Sequence, residues 1–87
     1  MNPSYLQETE QAIHKLLTEK TSEAIYNAWF KELRLVEIKE NKAFFSIYSD
    51  YKKNIIEANY MQTLTDATKQ IAGTGMDTVI AVENRNS

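Results

Sequence analysis

No cysteine occurs anywhere in the 87 residues, so neither a disulfide framework nor a thiolate metal site is available. No HExxH pair or EF-hand loop is present either, and no metal is expected. The single histidine, His14, has no acid–base partner that the sequence can name, and a surface or internally satisfied role is expected of it. Glu8, Glu10, Glu19, Glu23 and Glu32 fall on the polar faces of helical patterns, where solvation accounts for them. No apolar run approaches the roughly 18 residues of a membrane span, and the N-terminus has no signal-like pattern. With cysteine absent as well, these features point to the cytoplasm and away from a membrane. A basic excess is also missing: the net charge is −2, which argues against a strongly electrostatic nucleic-acid binder. An enzyme is not expected, and neither is a cofactor.

What the chain does contain describes one ordinary globular domain. Its 43% hydrophobic and 25% charged residues suit a chain that buries roughly 60–65% of its unfolded surface. The domain is expected over residues 1–83, with 84–87 as the start of a polar linker or tail. That ending suggests a domain cut from a longer protein, a small stand-alone relative being the other reading.

The segment Ser22–Leu35 organises the rest. Ile25, Trp29 and Leu33 recur four apart, with Tyr26 and Phe30 beside them, so all five share one broad helical stripe. Ser22 is placed to cap the helix and Glu23 to meet its positive end. The stripe is wide for a helix of some eleven residues. One edge can enter a core while an aromatic stays at the surface.

Before it, residues 1–3 are expected to fray. Ser4 and Gln7 form a capping-box pattern for a helix from Tyr5 to about Glu19, anchored by Ile13 and Leu17, with Glu8, Glu10 and Gln11 facing water. Thr18–Thr21 reads as the break. After it, Leu35, Val36 and Ile38 mark a strand, Glu40–Lys42 a polar turn, and Ala43–Tyr48 a second strand. Phe45 and Ile47 share one face of that strand, Phe44 and Tyr48 the other. The two strands are close enough to pair as a hairpin, and aromatics on both faces suggest that the second is central. Ser49–Asp50 starts a long helix to about Ala72. Gly73 and Gly75 stop it in a left-handed cap, and Asp77–Glu83 is a third strand. The order α-α-β-β-α-β predicts a two-layer α+β domain with a three-stranded sheet.

Three blocks carry a family resemblance. They are Ser22-Glu23 … Tyr26-x-x-Trp29-Phe30 … Leu33; Phe45-Ser46-Ile47-Tyr48-Ser49-Asp50-Tyr51; and Ile55-Ile56 with Tyr60. In order, spacing and length they resemble the N-terminal domain (domain I) of bacterial DnaA replication initiators, over about Tyr5 to Glu83. The first is similar to that family's S-x-E-x-F-x-x-W helix, and the second to the strand leading into P-N-x-F. There are departures. Tyr48-Ser49-Asp50 replaces proline, asparagine and a variable residue. Ile25 stands where some members place an acid used toward the helicase. The segment between Leu17 and Ser22 is longer, and Tyr5-Leu6 is the nearest match to an N-terminal Leu-Trp pair.

The resemblance implies a KH-like fold without catalysis, placed ahead of a linker and of ATPase and origin-binding domains, so that ATP and DNA would be bound elsewhere in a full-length initiator. It implies roles in initiator self-association, loading of the replicative helicase and docking of initiation regulators. By position, the partner-binding surface would include Ile25, Trp29, Ser49, Asp50 and Tyr51, with Tyr5 and Leu6 for a weak homo-oligomer. Trp and Tyr are common interface anchors; core packing is the alternative for Trp29 and Tyr51, and one ring can do both.

The rival reading is a small KH-like binder of single-stranded nucleic acid using Lys42, Phe44, Tyr48, Lys52 and Lys53. Residues 33–53 carry five bases against three acids, and aromatics beside cations stack and neutralise single strands. The net acidity and the lack of a GxxG loop, which KH domains use to clamp backbone, weigh against it.

Overall fold

A computed structural model describes residues 3–83; the expectations for Met1, Asn2 and the tail 84–87 lie outside the described residues. Helix α1 spans Pro3–Lys20. Helix α2 begins as Glu23–Ile25 and continues into a π turn, Tyr26–Phe30. Strands β1 (Arg34–Lys39) and β2 (Lys42–Ile47) follow. Helix α3 (Asp50–Ile55) also runs into a π turn, Ile56–Tyr60, before α4 (Met61–Ala72) and β3 (Asp77–Val82). The sheet order is β1-β2-β3, with β1 antiparallel and β3 parallel to the central β2. The two-layer α+β architecture expected from the sequence is the one observed.

The strand pattern decides which face is covered. Ala43, Phe45 and Ile47 of β2 are buried, while Phe44 is half-buried and Tyr48 exposed on the other side. Ile13 and Leu17 of α1, Phe30 and Leu33 at the end of α2, Ile56, and Leu64 and Ala67 of α4 close over the inner face. The hairpin turn is two residues, Glu40 and Asn41, both at positive φ (54° and 65°). That geometry matches the right-handed twist of paired strands. A bulge between Leu35 and Glu37 leaves Val36 exposed.

Polar side chains hold the helix ends. The Ser22 hydroxyl accepts from the Ile25 N–H, and the Ser49 hydroxyl from the Lys52 N–H, each at 3.1 Å. Each offers an acceptor to a backbone donor that has no partner within the helix.

Several local expectations need correction. Helix α1 starts at Pro3, one residue ahead of Ser4. The same helix runs through Thr18–Lys20, and only Thr21 and Ser22 form the break. Glu10 does not face water: its carboxylate accepts from the Leu35 N–H (2.8 Å) and from Arg34 Nε (3.1 Å). The long third helix is divided by its π turn, and Tyr60 leaves helical geometry at φ −130°, ψ 10°. Gly73 ends α4 at φ 131°, ψ 148°, close to the extended positive-φ region open essentially to glycine alone, not the left-handed cap. Gly75 has no positive φ. Thr68 and Met76 are also buried, Thr68 returning its hydroxyl to the Leu64 carbonyl.

Candidate functional site

Helix α2 carries two aromatic residues side by side, and the π turn sends them to different neighbours. The Lys31 N–H donates to the Tyr26 carbonyl at 3.0 Å, five residues back, so this turn holds one residue more than an α-helical turn. Phe30 is fully buried and meets Tyr60 edge-on, with centroids 5.9 Å apart and planes at 68°. Trp29 is half-buried and leans on Tyr51, again at 5.9 Å with planes tilted by 58°. Tyr51 is 66% exposed. The Trp29–Tyr51 pair therefore forms an aromatic ledge with its inner edge on the core and its outer edge in solvent.

Around the ledge the sequence supplies polar groups of both signs. Ser49, capping α3, fixes the first turn on which Tyr51 stands. The Lys52 ammonium meets the Glu32 carboxylate at 3.1 Å, joining the head of α3 to the end of α2. Beside this bridge lies an open cleft lined by Glu32, Arg34, Tyr48 and Ser49. Arg34 reaches it from the start of β1, held from behind by Glu10. An apolar ledge beside a mixed-charge rim is the composition of a protein-docking patch: aromatic anchors within a polar border.

The structure brings Trp29, Ser49 and Tyr51 together, with exposed Asp50 next to them. Ile25 lies one turn before Trp29, half-buried against the core, and offers less free surface. Tyr5 is 54% exposed near the start of α1, whereas Leu6 packs against the core. Glu32 and Arg34 were not among the sequence candidates. Lys52 and Glu32 are twenty positions apart, and only the fold reveals their pairing.

Of the nucleic-acid candidates, Tyr48 lines the cleft beside the Glu32–Lys52 bridge, but Lys42 stands apart from the other bases. Lys42 opens β2, and six residues at ~3.3 Å per step place it roughly 16 Å from Ile47, with Lys52 and Lys53 beyond that far end. Lys52 and Lys53 are moreover bridged to Glu32 and Glu57. Phe44 is half-buried on the outer sheet face.

His14 is internally satisfied. Its Nδ1 lies 2.7 Å from the Tyr26 hydroxyl and its Nε2 2.8 Å from the Leu33 carbonyl. Burial, and then the nearby Glu10 carboxylate, raise the Tyr26 hydroxyl above its ordinary pKa. Among the described residues no three His, Cys, Asp or Glu side chains converge on a metal-sized site. No described helix is long and apolar enough to cross a membrane.

Comparison with known proteins gives three findings. A family model, the DnaA N-terminal domain, matches residues 7–70. The chromosomal replication initiator protein DnaA of Thermodesulfovibrio yellowstonii is 30% identical over 67 residues; this covers 77% of the chain but 15% of the relative's length. The fold is similar to that of a chain in a HobA-DnaA (domain I-II) complex from Helicobacter pylori. The TM-score is 0.77 at 24% identity, over 87% of this chain and 98% of that one.

Proposed function

The chain belongs to the DnaA N-terminal domain family, and from that premise we propose that it is a non-catalytic docking module of a chromosomal replication initiator. The observation that carries the reading is the Trp29–Tyr51 ledge, an aromatic pair of which one ring is two-thirds exposed. Large aromatics that pair at a surface are frequent hot spots when a partner covers them. The similar Helicobacter pylori structure is a complex of DnaA with HobA, and the reading here is that an initiation regulator occupies the corresponding role. Trp29, Ser49, Asp50 and Tyr51 would form the contact, with Ile25 contributing at its edge.

Loading of the replicative helicase is proposed for the same face. Ile25 in place of an acid makes that contact depend on apolar area more than on charge. Weak self-association would use Tyr5, whose ring is exposed, with Leu6 setting its base. ATP and origin DNA would be handled by other parts of a full-length initiator, and this domain would need no cofactor. Direct single-strand binding is the weaker reading, because Lys42 stands apart from Lys52 and Lys53 and the latter two are already bridged to acids.

Calorimetric titration of the wild-type chain and a Tyr51→Ala variant with the host's replicative helicase and with its regulator tests this. Loss of a hot-spot ring should weaken binding at least about tenfold with the circular dichroism spectrum unchanged. Wild-type affinity in the variant for both partners would place docking elsewhere.

A further inference from the structure

We propose that His14 is a positioning residue for the docking surface, a latch from α1 to both ends of the π-turned segment that sets how Trp29 meets Tyr51. The inference rests on the docking reading above for its purpose, though its geometry stands without any partner.

One imidazole spans the two ends of residues 26–33. Tyr26 opens the π turn, its carbonyl taking the Lys31 N–H; Leu33 is the last residue before β1. His14 touches both, at 2.7 Å and 2.8 Å, and its ring stands edge-on to Tyr26 with centroids 5.7 Å apart and planes at 87°. A carbonyl can only accept, so Nε2 carries a proton and donates it to Leu33. In the neutral ring Nδ1 is then an acceptor, and the Tyr26 hydroxyl donates to it. Burial, and then the Glu10 carboxylate, raise that hydroxyl above its ordinary pKa, in the direction of the donor form. Glu10, one turn earlier on α1, holds the Leu35 N–H and Arg34. Two consecutive turns of one helix thus grip the α2–β1 junction from the same side.

The π turn gives this grip a consequence. Such turns are rare and short. Relaxation to α-helical bonding would rotate residues after the turn by about 100° relative to those before it. Trp29 lies inside the segment and Tyr51 on another element, so their contact survives only if the segment keeps its register. With Tyr26 and Leu33 both pinned, the extra residue has nowhere to go.

The test is an NMR comparison of the 87-residue chain with His14→Leu, His14→Gln and Tyr26→Phe variants, without partner. The readouts are the Trp29 indole N–H cross-peak and the nuclear Overhauser contacts between the Trp29 and Tyr51 rings. The expected result is that His14→Leu and Tyr26→Phe move the indole peak and lose the ring contacts, while the amides of Phe45 and Ile80 in the sheet keep their positions. His14→Gln, whose amide N–H can still reach the Leu33 carbonyl, should restore part of both. An unmoved indole peak with intact ring contacts, whatever happens to the melting temperature, would overturn the proposal, as would a Gln variant no better than Leu. If the Leu variant does not fold, Tyr26→Phe decides alone, because it removes a single oxygen. Failure here leaves the docking reading standing, since the Tyr51→Ala titration measures that separately.

Discussion

Two aromatic contacts join the same stretches of chain at the same 5.9 Å centroid separation: Phe30 with Tyr60 and Trp29 with Tyr51. The first is closed. Phe30 has no exposed surface, and its ring sits among Leu33, Ile56 and the other inner residues of the core. The second is open, with Tyr51 standing mostly in solvent. Edge-on and tilted ring pairs contribute about 0.5–1.5 kcal/mol beyond area burial, so the ring geometry does not separate them. Burial does. Removing Phe30 leaves a cavity that close-packed neighbours cannot fill, whereas removing Tyr51 returns surface to water that was already largely wet. Adjacent positions in one helical turn thus send one ring into the core and leave the other at the surface.

That contrast can be broken at several points. Phe30→Ala should have the largest effect, a loss of ~3–5 kcal/mol as for other buried Phe-to-Ala changes, read by urea denaturation; in a chain this short it should leave little folded protein. A variant that stays within 1 kcal/mol of wild type, on the scale of ordinary surface effects, would mean that Phe30 is not the keystone its burial implies. Ser49→Ala should cost ~1 kcal/mol through the lost cap and loosen the first turn of α3. Partner binding should therefore fall with stability for this variant. Tyr51→Ala should cost no more than the ring pair with Trp29 contributes, about 0.5–1.5 kcal/mol, while weakening docking, which sharpens the contrast most. The smallest effect belongs to Lys52→Ala. Its partner Glu32 is well exposed, and such bridges contribute about 0–1 kcal/mol; a change in the salt dependence of docking is expected instead of a change in melting temperature.

Much of the fold was legible because local chemistry and global packing agree. Ser22 and Ser49 cap the helices where the sequence places them, Phe45 and Ile47 alternate inward from a central strand, and Gly73 stops α4. The two π turns were not legible. Tyr26–Phe30 has an ordinary helical apolar pattern, and the histidine that meets Tyr26 lies twelve positions earlier. Glu10 illustrates the same limit: its spacing assigns it to the wet face of α1, yet a strand start packs close enough to use its carboxylate. Among the site candidates, Trp29, Ser49 and Tyr51 converge because helix ends are readable from caps. Lys42 and Lys52 looked like one basic group only because sequence distance ignores the length of β2.

Where a partner touches the domain decides whether the Trp29–Tyr51 ledge is a docking site. An NMR titration of the isotope-labelled chain with the host's replicative helicase, and in parallel with a short single-stranded oligonucleotide, measures that directly. The account predicts that helicase moves the Trp29 indole, Ser49 and Tyr51 signals as one cluster, while the oligonucleotide leaves them in place. Shifts centred on Phe44, Tyr48 and Lys52 with the oligonucleotide, and no response to helicase, would contradict it.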